Sequence, residues 1–423
     1  MKVLQVNITA NWGSTGKIAE HIGLKAISHG WECWMAFGRY SNPSKLKLID
    51  VGSKWNTYHH YFVQRFLDNE GLCSKGATQK LIAELKRIQP NVVHLHNIHD
   101  HYLNYELLFE YLNSTDIKVL WTFHDFWAVT GHCMHFVTKN CNLYETGCHD
   151  CPMRKVYPKT MMDRSRKNWE LKRRFFSANK NLTIVPVSEW VGEMTRKSFL
   201  KDKPIKVIPN GIDVEVFKPT LFSDISNLSE QLRSFQNQTY GKFVIMSVAT
   251  QWKNDKGVED YKRIAKMLRK DEVIVLVGVD DSTMKDLPEN VIGIKRTTNV
   301  QELAALYTRA DVVTILSSAE TFGLTVVEGY ACGTPAVVYN NTAPPALVLA
   351  DGYQGFNCSL IEGPTGFVVE DKNYMAAYEA YMKIKAIGKS HYSDACISFA
   401  REKYDKDKCY EEYVKLYEEV VGK

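Results

Sequence analysis

Residues 317–338 read SSAETFGLTVVEGYACGTPAVV, and this stretch decides the fold. The apolar run DVVTILSS, starting at Asp311, precedes it, and Ala336-Val337-Val338 closes it. Between them lie a Ser/Ala/Thr-rich loop, an apolar run of helical character from Leu324, and a stop at Cys332-Gly333-Thr334-Pro335. Strand, loop, helix, strand is an α/β crossover unit. A helix starting near Phe322-Gly323-Leu324 leaves its first N–H groups unpaired and carries partial positive charge, so it suits a phosphate. Glu320 precedes that helix and Glu328 lies on it, about 6 Å beyond Leu324 at 1.5 Å per residue. A carboxylate accepts two hydroxyl hydrogen bonds, so both acids suit the vicinal diols of a sugar or a ribose. As an isolated pair they also fit a helix-capping acid and a solvated surface glutamate.

The chain has 423 residues, enough for two domains of about 200 residues each. Hydrophobic content of 45% and charged content of 24% are ordinary for a soluble globular protein. A net charge of +5 is too mild to argue for or against nucleic acid. Lys and Arg concentrate from Arg154 to Arg174, which fits a phosphate-binding patch, an anionic membrane surface or a solvated basic helix. No apolar run is long enough to span a bilayer, and the N-terminus lacks a signal-peptide core. The expected location is therefore cytoplasmic, with the ten cysteines mostly reduced.

Lys2 to Asn7 reads as a strand, and Gly13-Ser14-Thr15-Gly16 as the turn into a helix, an arrangement that offers backbone N–H groups to phosphate. From Trp55 to Leu67, aromatic residues recur with helical spacing; the default reading is a core-facing stripe, with a membrane-interface helix as the alternative. His94, His96, His99 and His101 miss the spacing of a binuclear zinc site by one residue, so they read as satisfied or pocket-lining histidines. His124 follows the strand KVLWTF and belongs at the carboxyl edge of a sheet, where Asp125 is placed to orient or charge it. Cys133, Cys141, Cys148 and Cys151 fall within one short segment, where an even spread of ten cysteines over the chain would place fewer than one. Four thiolates suit a closed structural zinc site; disulfides, redox thiols or unligated thiols are the other readings.

With Glu-x-Phe-Gly-Leu, the second glutamate and Ala-Cys-Gly-x-Pro in register, residues 317–335 resemble the signature of retaining glycosyltransferases of family four, which have the GT-B fold. The strings at 122–127 and 205–213 strengthen the resemblance. It implies an α/β fold of two Rossmann-like doubly wound domains facing a cleft. The expected parts are an acceptor-side domain at 1–208, a linker at 209–241, a nucleotide-sugar domain at 242–400 and a final helix at 401–423 that packs back. It implies that Glu320 and His124 meet the donor sugar and that Glu328 holds the ribose. Phe322, Gly323, Leu324, Thr325 and Lys256 would take the donor hydroxyls and diphosphate, with Gly13, Ser14 and Gly16 facing them. The family has an arginine where Gln251 stands, and Lys253 is the substitute in reach. The segment from Val291 to Arg296 would meet the nucleotide base, and 351–363 looks inserted. The implied donor is a UDP- or GDP-sugar, with no catalytic metal. The implied acceptor is a glycan or undecaprenyl-linked oligosaccharide of surface polysaccharide synthesis, reached at the cytoplasmic membrane face, with no nucleic-acid partner. An epimerase or phosphorylase of the same fold is the near alternative; a zinc-dependent hydrolase or a zinc-scaffold binding module is the distant one.

Overall fold

A computed structural model describes residues 1–252, 254–297, 299–350 and 359–422. Lys253 and residues 351–358 of the expected insertion lie outside the described residues. The chain divides into two compact units, Met1–Asn210 with Asp407–Lys423, and Gly211–Lys406.

In the first unit, six parallel strands form one sheet: β1 (Lys2–Ala10), β2 (Glu32–Ser41), β3 (Lys47–Asp50), β4 (Val92–Leu95), β5 (Lys118–Phe123) and β6 (Leu182–Pro186). Their order is β3-β2-β1-β4-β5-β6. β1, β4 and β6 are buried over almost their whole length, as parallel strands covered on both faces must be. The order in which the chain adds strands reverses between β1 and β4, and in such sheets ligands collect at the carboxyl ends of the strands flanking that reversal.

The second unit repeats the plan with β7 (Phe243–Val248), β8 (Glu272–Val277), β9 (Val291–Ile294), β10 (Val312–Ile315), β11 (Ala336–Tyr339), β12 (Leu360–Gly363) and β13 (Gly366–Val369). The order is β12-β13-β11-β10-β7-β8-β9, with β12 antiparallel to β13 and the remaining pairs parallel. Its reversal falls between β7 and β10. Both units are thus doubly wound α/β sheets, as the sequence led us to expect. The helix Lys406–Gly422 ends the chain; from Asp407 it belongs to the first unit, where Tyr410, Tyr413, Leu416 and Tyr417 are buried.

One helix contradicts its sequence reading. Lys54–Leu67 does not bury its aromatic stripe: Trp55 is 86% exposed, Tyr58 63%, Phe62 61% and Phe66 47%. Its buried residues are His60 and Gln64. Inside, His60 Nδ1 meets Ser74 Oγ at 2.8 Å, and Gln64 Nε2 donates to Pro158 O at 3.1 Å. A polar interior partner set, rather than an apolar one, fixes which face points inward.

Candidate functional site

In the second unit the carboxyl ends of β7 and β10 carry two helices with the same entry geometry. Gly257 precedes the helix Val258–Ala265 and Gly323 precedes Leu324–Ala331; both glycines are left-handed, with φ of 75° and 102°, and no side chain caps either helix. A Cβ on Gly257 would lie 2.3 Å from Leu316 O, so only glycine lets this turn lie against the end of β10. Two helix N-termini without a side-chain cap leave first-turn N–H groups for an anion.

Lys256 and Glu320 meet between these turns, with Nζ 3.4 Å from Glu320 Oε2 and both side chains partly exposed. The loop that carries Glu320 is tied down by Ser318 N and Ser317 Oγ, which donate to Asp255 O at 2.9 Å each. Glu320 therefore pairs with Lys256 and does not cap the helix. Glu328 is half-buried and accepts from the Tyr307 hydroxyl at 2.7 Å. Burial, and then the Glu328 charge, push the Tyr307 hydroxyl well above its ordinary pKa, so it stays a donor. Phe322 is buried against Tyr404, ring centroids 5.6 Å apart; its side chain is structural, while Leu324 and Thr325 form the first turn of the helix. Gln251 is exposed beyond β7. Tyr307 went unnoticed in the sequence, because nothing local marks a helix tyrosine as the partner of a glutamate twenty-one residues later.

In the first unit, Gly13 opens the helix Gly13–Ser28 directly after β1, with φ of 66° and no side-chain cap on that helix. Gly16 packs so closely that a Cβ would sit 2.6 Å from Thr9 Oγ1, while Ser14 is exposed. His124 leaves the carboxyl end of β5 half-buried, and its Nε2 lies 3.2 Å from His96 Nδ1. His96 follows β4, and its Nε2 lies 2.9 Å from Gln5 Oε1 on β1. Loss of solvation lowers the His124 pKa to about 4, against an opposing pull from Asp125, and His96 falls well below its ordinary value for the same leading cause. Both imidazoles are neutral near pH 7.

Asp125 acts on His124 through its charge, but its hydrogen bonds go elsewhere. Its Oδ2 pairs with His99 Nε2 at 2.9 Å and its Oδ1 accepts from Trp127 N at 2.8 Å. The pair holds the Asp125 carboxyl down to about 2 although burial opposes ionisation, and the His99 pKa is raised although burial opposes that charge too. His94 contacts Tyr417 and Thr122 hydroxyls at 2.6 and 2.7 Å, and His101 pairs with buried Glu70. The four histidines from His94 to His101 thus face four different partner sets instead of one ion, which disfavours a zinc hydrolase.

Among the described residues, His60, Glu70 and His101 are the group of metal-capable side chains whose ligand atoms all lie within 4.8 Å. Protein atoms already engage them: Glu70 Oε1 accepts from Asp100 N and His101 N, and Gly71 N donates to His60 Nε2. Cys133, Cys141, Cys148 and Cys151 are among the residues lining one small space of about 10 Å³, and no three of their sulfur atoms lie within 4.8 Å of one another. The Cys133 thiol hydrogen-bonds to Cys151, whose pKa falls to about 7 chiefly for that reason, and Gly131 N donates to Cys148 Sγ at 3.2 Å. Lys172, from the basic segment, is buried over the Trp127 ring and donates to Trp127 O and Thr130 O at 2.6 and 3.0 Å. Burial brings its pKa down to about 7.

Residues 26–216 match the family described as Glycosyltransferase Family 4, and residues 229–402 match Glycosyl transferases group 1. This chain is a glycosyltransferase of the family-four type. It is 22% identical over 367 residues to WcaC of Escherichia coli K12, named as a colanic acid biosynthesis glycosyl transferase, covering 83% of this chain and 86% of that one. Sucrose-phosphate synthase of Thermosynechococcus elongatus superposes with a TM-score of 0.70 at 13% identity, over 100% of this chain and 99% of that one. Alr3699/HepE of Anabaena, solved with UDP-glucose, gives 0.63 at 12% identity, over 99% of this chain and 100% of that one. The fold of this glycosyltransferase is GT-B.

Proposed function

We propose that the protein transfers a hexosyl residue from a nucleoside-diphosphate sugar to a glycan or lipid-linked acceptor in surface polysaccharide synthesis, retaining configuration at the anomeric carbon. The observation that carries this reading is the Lys256–Glu320 pair set between two helix N-termini without side-chain caps. Lys256 and the helix starting at Leu324 would take the diphosphate, with Thr325 in its first turn. Glu320 and His124 would hold the sugar, Glu328 the ribose, and Gly13, Ser14 and Gly16 are proposed as further phosphate contacts. As the sugar–phosphate bond breaks, negative charge grows on the departing phosphate, where fixed positive groups count most. The acceptor hydroxyl then bonds to the anomeric carbon on the same face and gives its proton to that phosphate. UDP-glucose in the Anabaena neighbour makes UDP-sugars the first donors to try.

Thermal shift with UDP and GDP should identify the base, since ligand at a hundred times its Kd stabilises by about 2.7 kcal/mol. With the donor found, Glu320→Ala and His124→Ala should each lower product formation about a hundredfold. Wild-type turnover in both variants would sink the reading. Sugar isomerisation, or cleavage that requires phosphate, would replace it with an epimerase or a phosphorylase.

For the acceptor side we propose contact with an anionic bilayer surface. Trp55, Tyr58, Phe62 and Phe66 stand exposed on one helix, and Met161 and Met162, also exposed, hydrogen-bond through their N–H groups to Arg65 O and Phe66 O. Exposed Lys54, Lys155, Lys159, Arg166 and Lys167 lie on that helix or in the segment around the two methionines. Aromatic and thioether side chains rimmed by cations match a lipid surface with acidic headgroups. We further propose that Cys133, Cys141, Cys148 and Cys151 draw together around a structural zinc ion that, with four cysteine ligands, would leave no open position for the chemistry. One zinc per chain in metal analysis, lost in Cys133→Ser, is expected; a metal-free protein with four titratable thiols in this segment would exclude it.

A further inference from the structure

We propose that Gln231 is a built-in competitor of the sugar donor's nucleobase: its side-chain amide covers the backbone N–H and C=O of Lys295, and the base binds by taking that place. This rests on the reading of the second unit as a nucleotide-sugar site. The contact closes a ring of two hydrogen bonds. Lys295 N donates to Gln231 Oε1 at 2.9 Å, and Gln231 Nε2 donates to Lys295 O at 3.5 Å. A backbone N–H can only donate, so the amide sets its oxygen there and turns its nitrogen to the carbonyl.

A primary amide presents one acceptor and one hydrogen-bond donor side by side on a planar edge. Uracil, with O4 and N3–H, and guanine, with O6 and N1–H, present the same pair in the same cis arrangement. A phosphate does not. Position agrees with this chemistry. Lys295 directly follows β9, the last strand of the parallel run β10-β7-β8-β9, so it lies on the same carboxyl edge as the helix starts at Gly257 and Gly323. From β7 to β9 is two strand spacings, about 10 Å, within the length of a nucleotide anchored by its phosphates. Glu328 leads in that direction, since it accepts from the hydroxyl of Tyr307, on the helix Val300–Arg309 that follows β9.

The competitor is delivered by its own helix. Glu230–Gln238 is held by buried Leu232 and Phe235, and Ser229 N, just before it, donates to the buried Glu302 carboxylate at 2.8 Å. Gln231 itself is half-buried and Lys295 exposed, so a ligand can reach the pair and water can take up the displaced amide. Exchange of one amide edge for another yields little net hydrogen bonding, so the base adds less affinity than it would at an uncovered backbone pair. A ligand without an adjacent acceptor and hydrogen-bond donor leaves Gln231 where it is.

The test is calorimetric titration of the full chain with UDP, GDP and inorganic pyrophosphate, in wild type and Gln231→Ala. The nucleotide that binds wild type should bind Gln231→Ala about three- to tenfold more tightly, and pyrophosphate should treat both alike. In wild-type nuclear magnetic resonance spectra, the Gln231 side-chain NH2 signals should move on saturation with that nucleotide and stay in place with pyrophosphate. Equal or weaker nucleotide binding by Gln231→Ala overturns the competitor, as does a tightening that pyrophosphate shares. Gln231 signals unmoved by saturating nucleotide overturn it too, and that spectrum decides the matter even where Gln231→Ala fails to fold. A wild type that binds neither UDP nor GDP would instead overturn the nucleotide-sugar reading, and this proposal with it.

Discussion

The helices Leu324–Ala331 and Lys54–Leu67 both have a distinct apolar face, and they use it in opposite ways. The first buries Val326, Val327 and Tyr330 completely under the sheet of the second unit. The second turns its aromatics to solvent and buries His60 and Gln64, whose partners are the Ser74 hydroxyl, the Gly71 N–H and the Pro158 carbonyl. Periodicity reveals that a helix has two faces. Which face turns inward depends on what the opposing surface offers, and that surface is assembled from residues far away in the chain.

The polar interior beside Lys54–Leu67 gives the largest expected effect. His60 lies against His101, ring centroids 5.5 Å apart, and His101 pairs with Glu70 in the interior. Glu70→Gln leaves His101 without its carboxylate and should cost roughly 3 to 5 kcal/mol at pH 7 in urea unfolding. The Glu70 pKa is lowered on folding, its burial outweighed by the pull of His101 and its neighbours. Its contribution is therefore present above the unfolded carboxylate value of about 4.3 and is lost as pH falls toward the folded value. The gap between variant and wild type should narrow below about pH 4; a gap independent of pH would remove the charge from the explanation.

A middle-sized effect belongs to the apolar helix. Val327→Ala removes two methyl groups from a fully buried site and should destabilise by about 2 kcal/mol. Its counterpart gives the smallest change: Phe62→Ala should stay within about 0.5 kcal/mol of wild type, because the ring is already in water. The same variant should bind vesicles containing acidic phospholipid about tenfold more weakly, and wild type should ignore purely zwitterionic vesicles. If Phe62→Ala proves as destabilising as Val327→Ala, the contrast between the helices collapses. Unchanged vesicle binding would keep the contrast and remove the bilayer.

The parts of the candidate site legible in the sequence are those whose geometry is local. Gly323 could be placed because it sits next to the helix it opens, and Glu320 because it adjoins that turn, while Lys256 was named only by the family resemblance and Gly257 as a second helix start only by the structure. The role of Asp125 was misread for the opposite reason: adjacency to His124 suggested a pair, yet the carboxylate turns back to His99, twenty-six positions earlier. Gln5 did leave a trace, as a polar residue inside the apolar strand KVLQVN, but nothing nearby names its partner, which lies ninety-one positions away.

The sequence by itself determined the two doubly wound sheets, the helix start at Gly323 and the family, because strand runs, turn glycines and short motifs act over a few residues. Tertiary structure alone decided which face of Lys54–Leu67 meets water, that Asp125 serves His99, and that Gln5, His96 and His124 line up. Those outcomes depend on hydrogen-bond partners and buried charges brought together by strand register, and a donor or acceptor has no fixed role until its partner is in place.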